Sequence, residues 1–169
     1  MAIPDRNMAS SPACGLPMVL LLVLLQVLSA CSAKDTQATG SSGYIADVEE
    51  RVAAVDWTKA QKVDIALSEY AFSPSSLNFQ EGHSYDLHLA NPGGEVHDFA
   101  SKPFFQAIAA AKLVASDKTI PLPRLERIAV RSGEAKDLYF VAIRPGVYPF
   151  KCTEPLHAAF GMTGTVRIE

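Results

Sequence analysis

Residues 146–169 read GVYPFKCTEPLHAAFGMTGTVRIE, a segment with strand periodicity at both ends. Successive side chains of a β-strand point to opposite sides, so alternate residues of the opening GVYPFKC share a face. That shared face is apolar and carries Tyr148, Phe150 and Cys152. Cys152 therefore points inward where its strand ends. A second strand follows in GTVRIE, and the loop between the two strands can bring His157 and Met162 around one point with Cys152.

The same alternation recurs upstream. Residues 62–72 (KVDIALSEYAF) and 76–94 (SLNFQEGHSYDLHLANPGG) place apolar side chains at every second position. Residues 127–143 (RIAVRSGEAKDLYFVAI) supply two more apolar runs around a Ser-Gly turn. Short strands with period two, separated by Gly and Pro turns, predict an all-β protein built as an antiparallel sandwich or barrel.

Two segments have helical rather than strand periodicity. In residues 44–57, apolar side chains recur at steps of three or four and predict a short N-terminal helix on the domain edge. These positions are Ile45, Val48, Val52 and Val55. In KPFFQAIAAAKLVA, residues 102–115, an early proline, dense alanine and an apolar stripe predict a helical insertion over 103–115. The stripe consists of Phe104, Ile108 and Ala111.

Residues 19–28 (VLLLVLLQVL) are an apolar run. The run is short for a permanent membrane helix and suits the core of an export signal. It ends in LSAC, residues 28–31, which resembles the lipobox of bacterial lipoproteins. The resemblance implies cleavage before Cys31 and acyl chains on its sulfur, which would anchor the protein to a membrane. A plain secretory signal is the alternative reading.

The predicted organisation follows from that processing. Residues 1–30 form a lipoprotein-type signal peptide, residues 31–44 a polar flexible tether, and residues 45–169 the folded domain. The start codon stays open, because Met1, Met8 and Met18 all precede or open the signal. A lipidated, exported chain would lie in the periplasm, anchored to the inner or the outer membrane.

Composition and cysteine content narrow the function further. The chain has 169 residues and a net charge of −3, so it presents no large basic field for a nucleic acid. Cys14 would leave with the signal, and Cys31 would carry lipid. Cys152 then stays as an unpaired thiol in a compartment that oxidises thiols. A bound metal ion is one way to protect it.

The donor types around Cys152 favour copper. A site of two histidines and one cysteine with a weak axial methionine suits copper, whereas zinc would take further Cys or His ligands. The chain must then supply a second histidine. His83 lies in a turn and His88 on the polar face of its strand. His97 follows the glycine-rich turn of NPGGEVHDF and shares a face with Phe99, which makes it the best candidate.

Residues 63–98 and 138–169 together resemble the cupredoxins, the small blue-copper proteins. The Cys-x4-His-x4-Met spacing resembles that of rusticyanin and auracyanin, since azurin and plastocyanin use shorter loops. The resemblance implies a Greek-key β-sandwich that binds one type 1 copper ion. It also implies that His97, Cys152 and His157 are the equatorial ligands and Met162 the axial one.

Two neighbours of the implied ligands carry over only in part. Cupredoxins often have Asn after the first histidine and Ser or Thr after the cysteine, and these residues join the two ligand loops. This chain has Asp98 and Thr153 there. A carboxylate near the thiolate would stabilise Cu(II) and lower the reduction potential. Alternatively, Asp98 points to solvent.

The implied function is electron transfer. Four protein ligands leave no open position for a substrate, so we expect no enzyme. A Cys-His hydrolase would need a strand-to-helix elbow, and nothing after Cys152 offers one. Copper binding for tolerance or delivery is the alternative, although the chain has no Met- or His-rich tract of the kind that metal scavengers carry.

We expect a monomer that exposes one ring edge of His157 to a redox partner, such as a cytochrome or a terminal oxidase. Small and apolar residues flank that histidine in the loop and could form a docking patch, although Phe160 could equally close the core under the loop. They are Leu156, Ala158, Ala159 and Phe160.

Overall fold

The computed structural model describes residues 43–169 except 117, 121 and 123. These residues belong to one compact unit. The predicted signal peptide over 1–30, and all but the last two residues of the predicted tether, lie outside the described residues. In the described part of the chain, no helix combines the length and the apolar character needed to cross a bilayer.

The described chain is mostly β. Its helical elements are α1 (Val48–Ala53), a 3-10 turn (Trp57–Lys59) and α2 (Lys102–Phe105). Its strands are β1 (Gln61–Ser68), β2 (Ala71–Ser73), β3 (Ser76–Phe79), β4 (Ser84–Ala90), β5 (His97–Ala100), β6 (Ile108–Ala115), β7 (Lys118–Ile120), β8 (Arg127–Val130), β9 (Ala135–Ala142), β10 (Gly146–Lys151) and β11 (Thr163–Ile168).

The strands form two sheets, with the orders β2-β1-β4-β9-β6-β7 and β3-β11-β10-β5-β8. The predicted all-β sandwich is confirmed. Neighbouring strands in the described residues run antiparallel except β1 with β4 and β3 with β11, which run parallel. The β1–β4 pair is parallel because the chain crosses to the second sheet as β3 before it returns to the first. These two pairs depart from the antiparallel arrangement that the sequence predicted.

The core fills the space between the sheets. Alternation in β4 turns Tyr85, Leu87 and Leu89 inward, as predicted, and all three are buried. Phe99 of β5 and Phe150 of β10 lie side by side on the core face of the second sheet, with ring centroids 4.5 Å apart. Phe99 lies two residues after His97 and Phe150 two residues before Cys152. The aromatic core thus fixes both strands close to the residues singled out above.

The predicted N-terminal helix is present as α1, although it is only six residues long. Its apolar stripe belongs to a second, smaller cluster around buried Ile45, Ala109 and Val141. Ala109 lies in β6 and Val141 in β9. The helix therefore packs on the six-stranded sheet, outside the main core, as the sequence periodicity predicted.

The predicted helical insertion over 103–115 is wrong beyond its first turn. Helix α2 has only four residues, capped by the Ser101 hydroxyl, which accepts from Phe104 N at 3.3 Å. The following residues form β6 between β9 and β7. A register shift between Ala110 and Lys112 inserts one residue, so Ile108 and Leu113 both face the core despite their odd spacing. This bulge hides the period of two, and pairing with β9 overrides the helix propensity of alanine.

Replacing Leu87 by Ala tests the core. Leu87 is fully buried, so the apoprotein should lose about 2–5 kcal/mol of unfolding free energy from lost burial and the resulting cavity. Urea denaturation measures the loss. Leu156→Ala is the matched control, because this leucine is 67% exposed and its removal should cost less than about 0.5 kcal/mol. Equal losses in both variants would contradict this assignment of the core.

Candidate metal centre

Strand β10 delivers Cys152 to one end of the sandwich. The last residue of the strand, Lys151, pairs with Ala100 of β5 and Thr163 of β11. The next residue is Cys152, whose backbone N–H donates to Met162 O at 3.1 Å. The thiol is fully buried. It therefore leaves the strand pointing inward, as the alternation predicted.

His97 is the first residue of β5 and is fully buried. The turn before it is organised by Asn91, a residue that sequence reasoning missed. The Asn91 side-chain amide donates to Glu95 O at 2.7 Å and to Val130 O at 2.8 Å, and its carbonyl oxygen accepts from Gly93 N at 2.9 Å. Asparagine before Pro-Gly-Gly was the available signal, since Asn commonly bonds the backbone two residues on.

The loop between β10 and β11 closes on itself through backbone hydrogen bonds. Met162 N donates to His157 O at 3.0 Å, and Phe160 N donates to Leu156 O at 3.0 Å. Gly161 has a φ of 104°, a conformation that favours glycine. Met162 is fully buried, and its backbone is bonded to both Cys152 and His157.

Three predicted ligands converge. The metal-binding atoms of His97, Cys152 and His157 lie within 4.8 Å of one another, and all three residues are buried. The two histidine Nδ1 atoms are 3.2 Å apart, and His157 Nδ1 lies 3.5 Å from Cys152 Sγ. Two imidazole nitrogens and one sulfur form a donor set that copper favours. Within the cluster, His97 and His157 lie 60 residues apart in the sequence.

Burial also affects the protonation of His97. Desolvation, with a smaller contribution from the charge of His157, lowers the pKa of His97. A lowered pKa keeps the imidazole neutral near pH 7, and a neutral imidazole is the form that binds a metal. The two rejected histidines lie elsewhere. His83 is exposed in its turn, and His88 Nδ1 is bonded to Asp137 Oδ1 at 2.6 Å.

The predicted exposed edge of His157 is largely covered. Only 7% of its side chain is accessible, because Glu95 and Tyr70 lie over it. Glu95 Oε2 is 3.4 Å from His157 Nε2. The Tyr70 ring contacts the His157 ring edge to face, with centroids 5.2 Å apart. Both covering residues are distant in sequence, so no local pattern predicted them.

The turn between β1 and β2 contacts both ligand segments. Glu69 Oε1 accepts from Gly94 N at 2.7 Å, and this bond is the main reason that the pKa of Glu69 is lowered. A Cβ atom at Gly93 would lie 2.5 Å from the same carboxylate oxygen, so a larger residue there would displace the Glu69 side chain. On the other side, Tyr70 contacts His157 and Phe160, with ring centroids 5.2 and 5.1 Å apart.

Asp98 does not point to solvent. It is fully buried, and its backbone N–H donates to Cys152 Sγ at 3.4 Å. Its Oδ2 atom accepts from the Thr153 hydroxyl and from Arg127 Nη1, the latter at 2.7 Å. Asp98 and Thr153 thus join the two ligand segments. Arg127, from β8, was not anticipated.

The loop around His157 presents apolar side chains. Of the four predicted docking residues, Leu156, Ala159 and Phe160 are exposed, and Ala158 is half-buried. Phe160 is 64% exposed, so it does not close the core. Tyr70 is also exposed and packs against Phe160. We call Tyr70, Leu156 and Phe160 the ligand-loop patch.

A comparison with known families agrees with this geometry. Residues 59–169 match the family model of the copper-binding proteins of the plastocyanin/azurin family. The chain belongs to this family. The cupredoxin interpretation and the prediction of one type 1 copper ion are thereby confirmed. No curated protein matches the sequence significantly.

Solved structures resemble this cupredoxin at low identity. A multicopper oxidase from Pseudomonas thermotolerans has a TM-score of 0.54 and 17% identity, over 68% of this chain and 31% of that chain. A copper nitrite reductase from Nitrosomonas europaea gives 0.50 and 13%, over 66% and 50%. An auracyanin from Roseiflexus castenholzii gives 0.48 and 19%, over 65% and 98%. The chain spans a third to a half of the two enzyme chains, and the likeness to them concerns the fold alone.

Histidine replacements test the cluster. His97→Ala should abolish the strong thiolate-to-copper absorption of the copper-loaded protein and weaken copper binding by more than about tenfold, because a ligand is lost. Visible spectroscopy and copper titration measure both effects. His88→Ala is the matched control and should retain colour and affinity. If His83→Ala removed the colour and His97→Ala did not, the second histidine ligand would have to be reassigned.

Proposed function

We propose that this cupredoxin carries single electrons between redox proteins. His97, Cys152 and His157 would hold the copper ion, and Met162 would be a fourth, weaker ligand. The convergence of three buried donor atoms from two distant segments is the observation that carries this proposal. The family match supports it, since type 1 copper binding is consistent with electron transfer.

The protein contributes buried donor atoms that are already positioned for a metal ion. When bound, copper supplies the one-electron couple between Cu(II) and Cu(I). His97 is held by the aromatic core behind β5, and His157 by the closed loop. The Cys152 sulfur accepts one backbone hydrogen bond from Asp98. Because these donors are positioned before the metal arrives, little has to move when the charge changes, which favours fast electron exchange.

The ligand-loop patch is the proposed docking surface. Leu156 is 67% and Phe160 64% exposed, and they lie in the loop that carries His157. A small apolar contact suits a weak, transient complex. Since His157 itself is nearly covered, the electron would pass through the rings that contact it, Tyr70 and the adjoining Phe160. A partner such as a cytochrome or a terminal oxidase would dock there.

Electron exchange with a c-type cytochrome tests this function. The copper-loaded protein should exchange electrons rapidly and reversibly in stopped-flow measurements. The double variant Leu156→Ala/Phe160→Ala should slow the second-order rate by roughly three- to tenfold, because the docking contact is truncated, while the visible spectrum stays unchanged.

Val147→Ala is the matched control for that measurement. Val147 is an exposed apolar residue near the start of β10, whereas Cys152 follows the end of that strand. Its removal should leave the rate unchanged. Tight copper binding without any electron exchange would instead favour the alternative function, copper tolerance or delivery.

We also propose a periplasmic location with a lipid anchor on Cys31. The support is the sequence alone: an export-type apolar run over 19–28, the small residues before Cys31, and the polar tether that follows. Acyl chains on that cysteine would keep the copper domain at a membrane surface, within reach of membrane-bound redox partners.

Cys31→Ser tests the anchor in a bacterial host. The wild-type chain should incorporate radiolabelled palmitate and sediment with membranes, whereas Cys31→Ser should lose the label and the membrane association, because the acylated sulfur is absent. Cell fractionation and autoradiography provide the readout. Cys14→Ser is the control and should behave as wild type. Unchanged labelling in Cys31→Ser would refute lipidation at this cysteine.

A further inference from the structure

Asp98 is a fully buried carboxylate directly beside the proposed copper site. It follows His97 in β5, and its backbone donates to the Cys152 sulfur. A buried charge is costly unless it is paired and hydrogen-bonded. The carboxylate makes two contacts through Oδ2, and Oδ1 has no hydrogen-bond partner among the described residues. Within the described residues, the negative charge of Asp98 is therefore stabilised by only two side-chain partners, Arg127 and Thr153.

Arg127 is the cationic partner of that carboxylate. Its Nη1 atom lies 2.7 Å from Asp98 Oδ2 and 3.5 Å from Thr153 Oγ1. The arginine belongs to β8, which pairs with β5 through the register Ala100–Arg127. Its side chain is 58% exposed. An exposed arginine without a fixed partner would be screened by solvent, so Asp98 is what holds this positive charge near the site.

We propose that Arg127 is a positioning residue that neutralises Asp98, so that the buried carboxylate does not shift the copper couple. This inference rests on the proposed copper site. Negative charge near the thiolate stabilises Cu(II) over Cu(I) and lowers the reduction potential. With Arg127 fixed against Asp98, the pair presents almost no net charge to the metal. Asp98 alone would lower the potential, as the sequence led us to expect; the ion pair cancels that effect.

The two charges should therefore be strongly non-additive. Arg127→Gln leaves the carboxylate uncompensated, so the ratio of Cu(II) to Cu(I) at a fixed solution potential should rise on the order of three- to tenfold. Asp98→Asn removes the carboxylate and also releases Arg127 to solvent, where its charge is screened. That variant and the double variant Asp98→Asn/Arg127→Gln should both stay within about twofold of wild type.

Voltammetry of the copper-loaded wild type, Arg127→Gln, Asp98→Asn and the double variant tests this proposal. Arg127→Lys should restore the wild-type ratio, because it keeps the charge. Lys102→Gln is the matched control. Lys102 is a similarly exposed lysine paired with Glu126 on the surface, and its loss should leave the ratio unchanged. If Arg127→Gln shifts the ratio less than twofold, or shifts it equally in the wild-type and the Asp98→Asn backgrounds, Arg127 does not act through Asp98 and the proposal fails.

Urea unfolding of the apoproteins gives a readout without copper. Arg127→Gln should lower the midpoint in the wild-type background and leave it nearly unchanged in the Asp98→Asn background. If Arg127→Gln does not fold, the Asp98→Asn pair with and without Arg127 still decides, since any difference in their ratios beyond twofold overturns the proposal. Absence of thiolate-to-copper colour in the wild type would instead refute the proposed function itself.

Discussion

Two backbone hydrogen bonds join three of the four proposed ligand residues: Cys152 N to Met162 O and Met162 N to His157 O. They connect Cys152, His157 and Met162 through the main chain and do not require a metal ion. Because these bonds already position the loop backbone, ion binding does not have to order the main chain of the loop. These bonds place the buried donor residues of the loop next to one another.

Much of the fold and of the site could be predicted from the sequence because the signals were local. The alternation of Tyr85, Leu87 and Leu89 predicted a strand and its inner face. The alternation of side chains in GVYPFKC predicted that Cys152 points into the core. His97 required a choice among three histidines, and the glycine-rich turn before it favoured the one that the structure places beside Cys152 and His157. In each case the pattern and the tertiary environment favour the same conformation.

The failures have one physical cause: contacts between residues distant in sequence. Strand β6 looked helical because a bulge disturbed its alternation and alanine favours a helix, yet pairing with β9 decided its conformation. Arg127, Glu95 and Tyr70 complete the surroundings of the site, and each lies far along the chain from the residue that it contacts there. A single sequence gives no period or spacing for such contacts.

The hairpin turn that carries Glu69 and Tyr70 has a mechanical consequence. Glu69 accepts a hydrogen bond from the loop before His97, and the Tyr70 ring contacts the ring of His157. A molecule that docks on Tyr70 would therefore contact the turn that touches both ligand segments. Substitutions in this turn would change the surroundings of both ligand segments. They would thereby alter the colour and the reduction potential of the copper-loaded protein without replacing a proposed ligand.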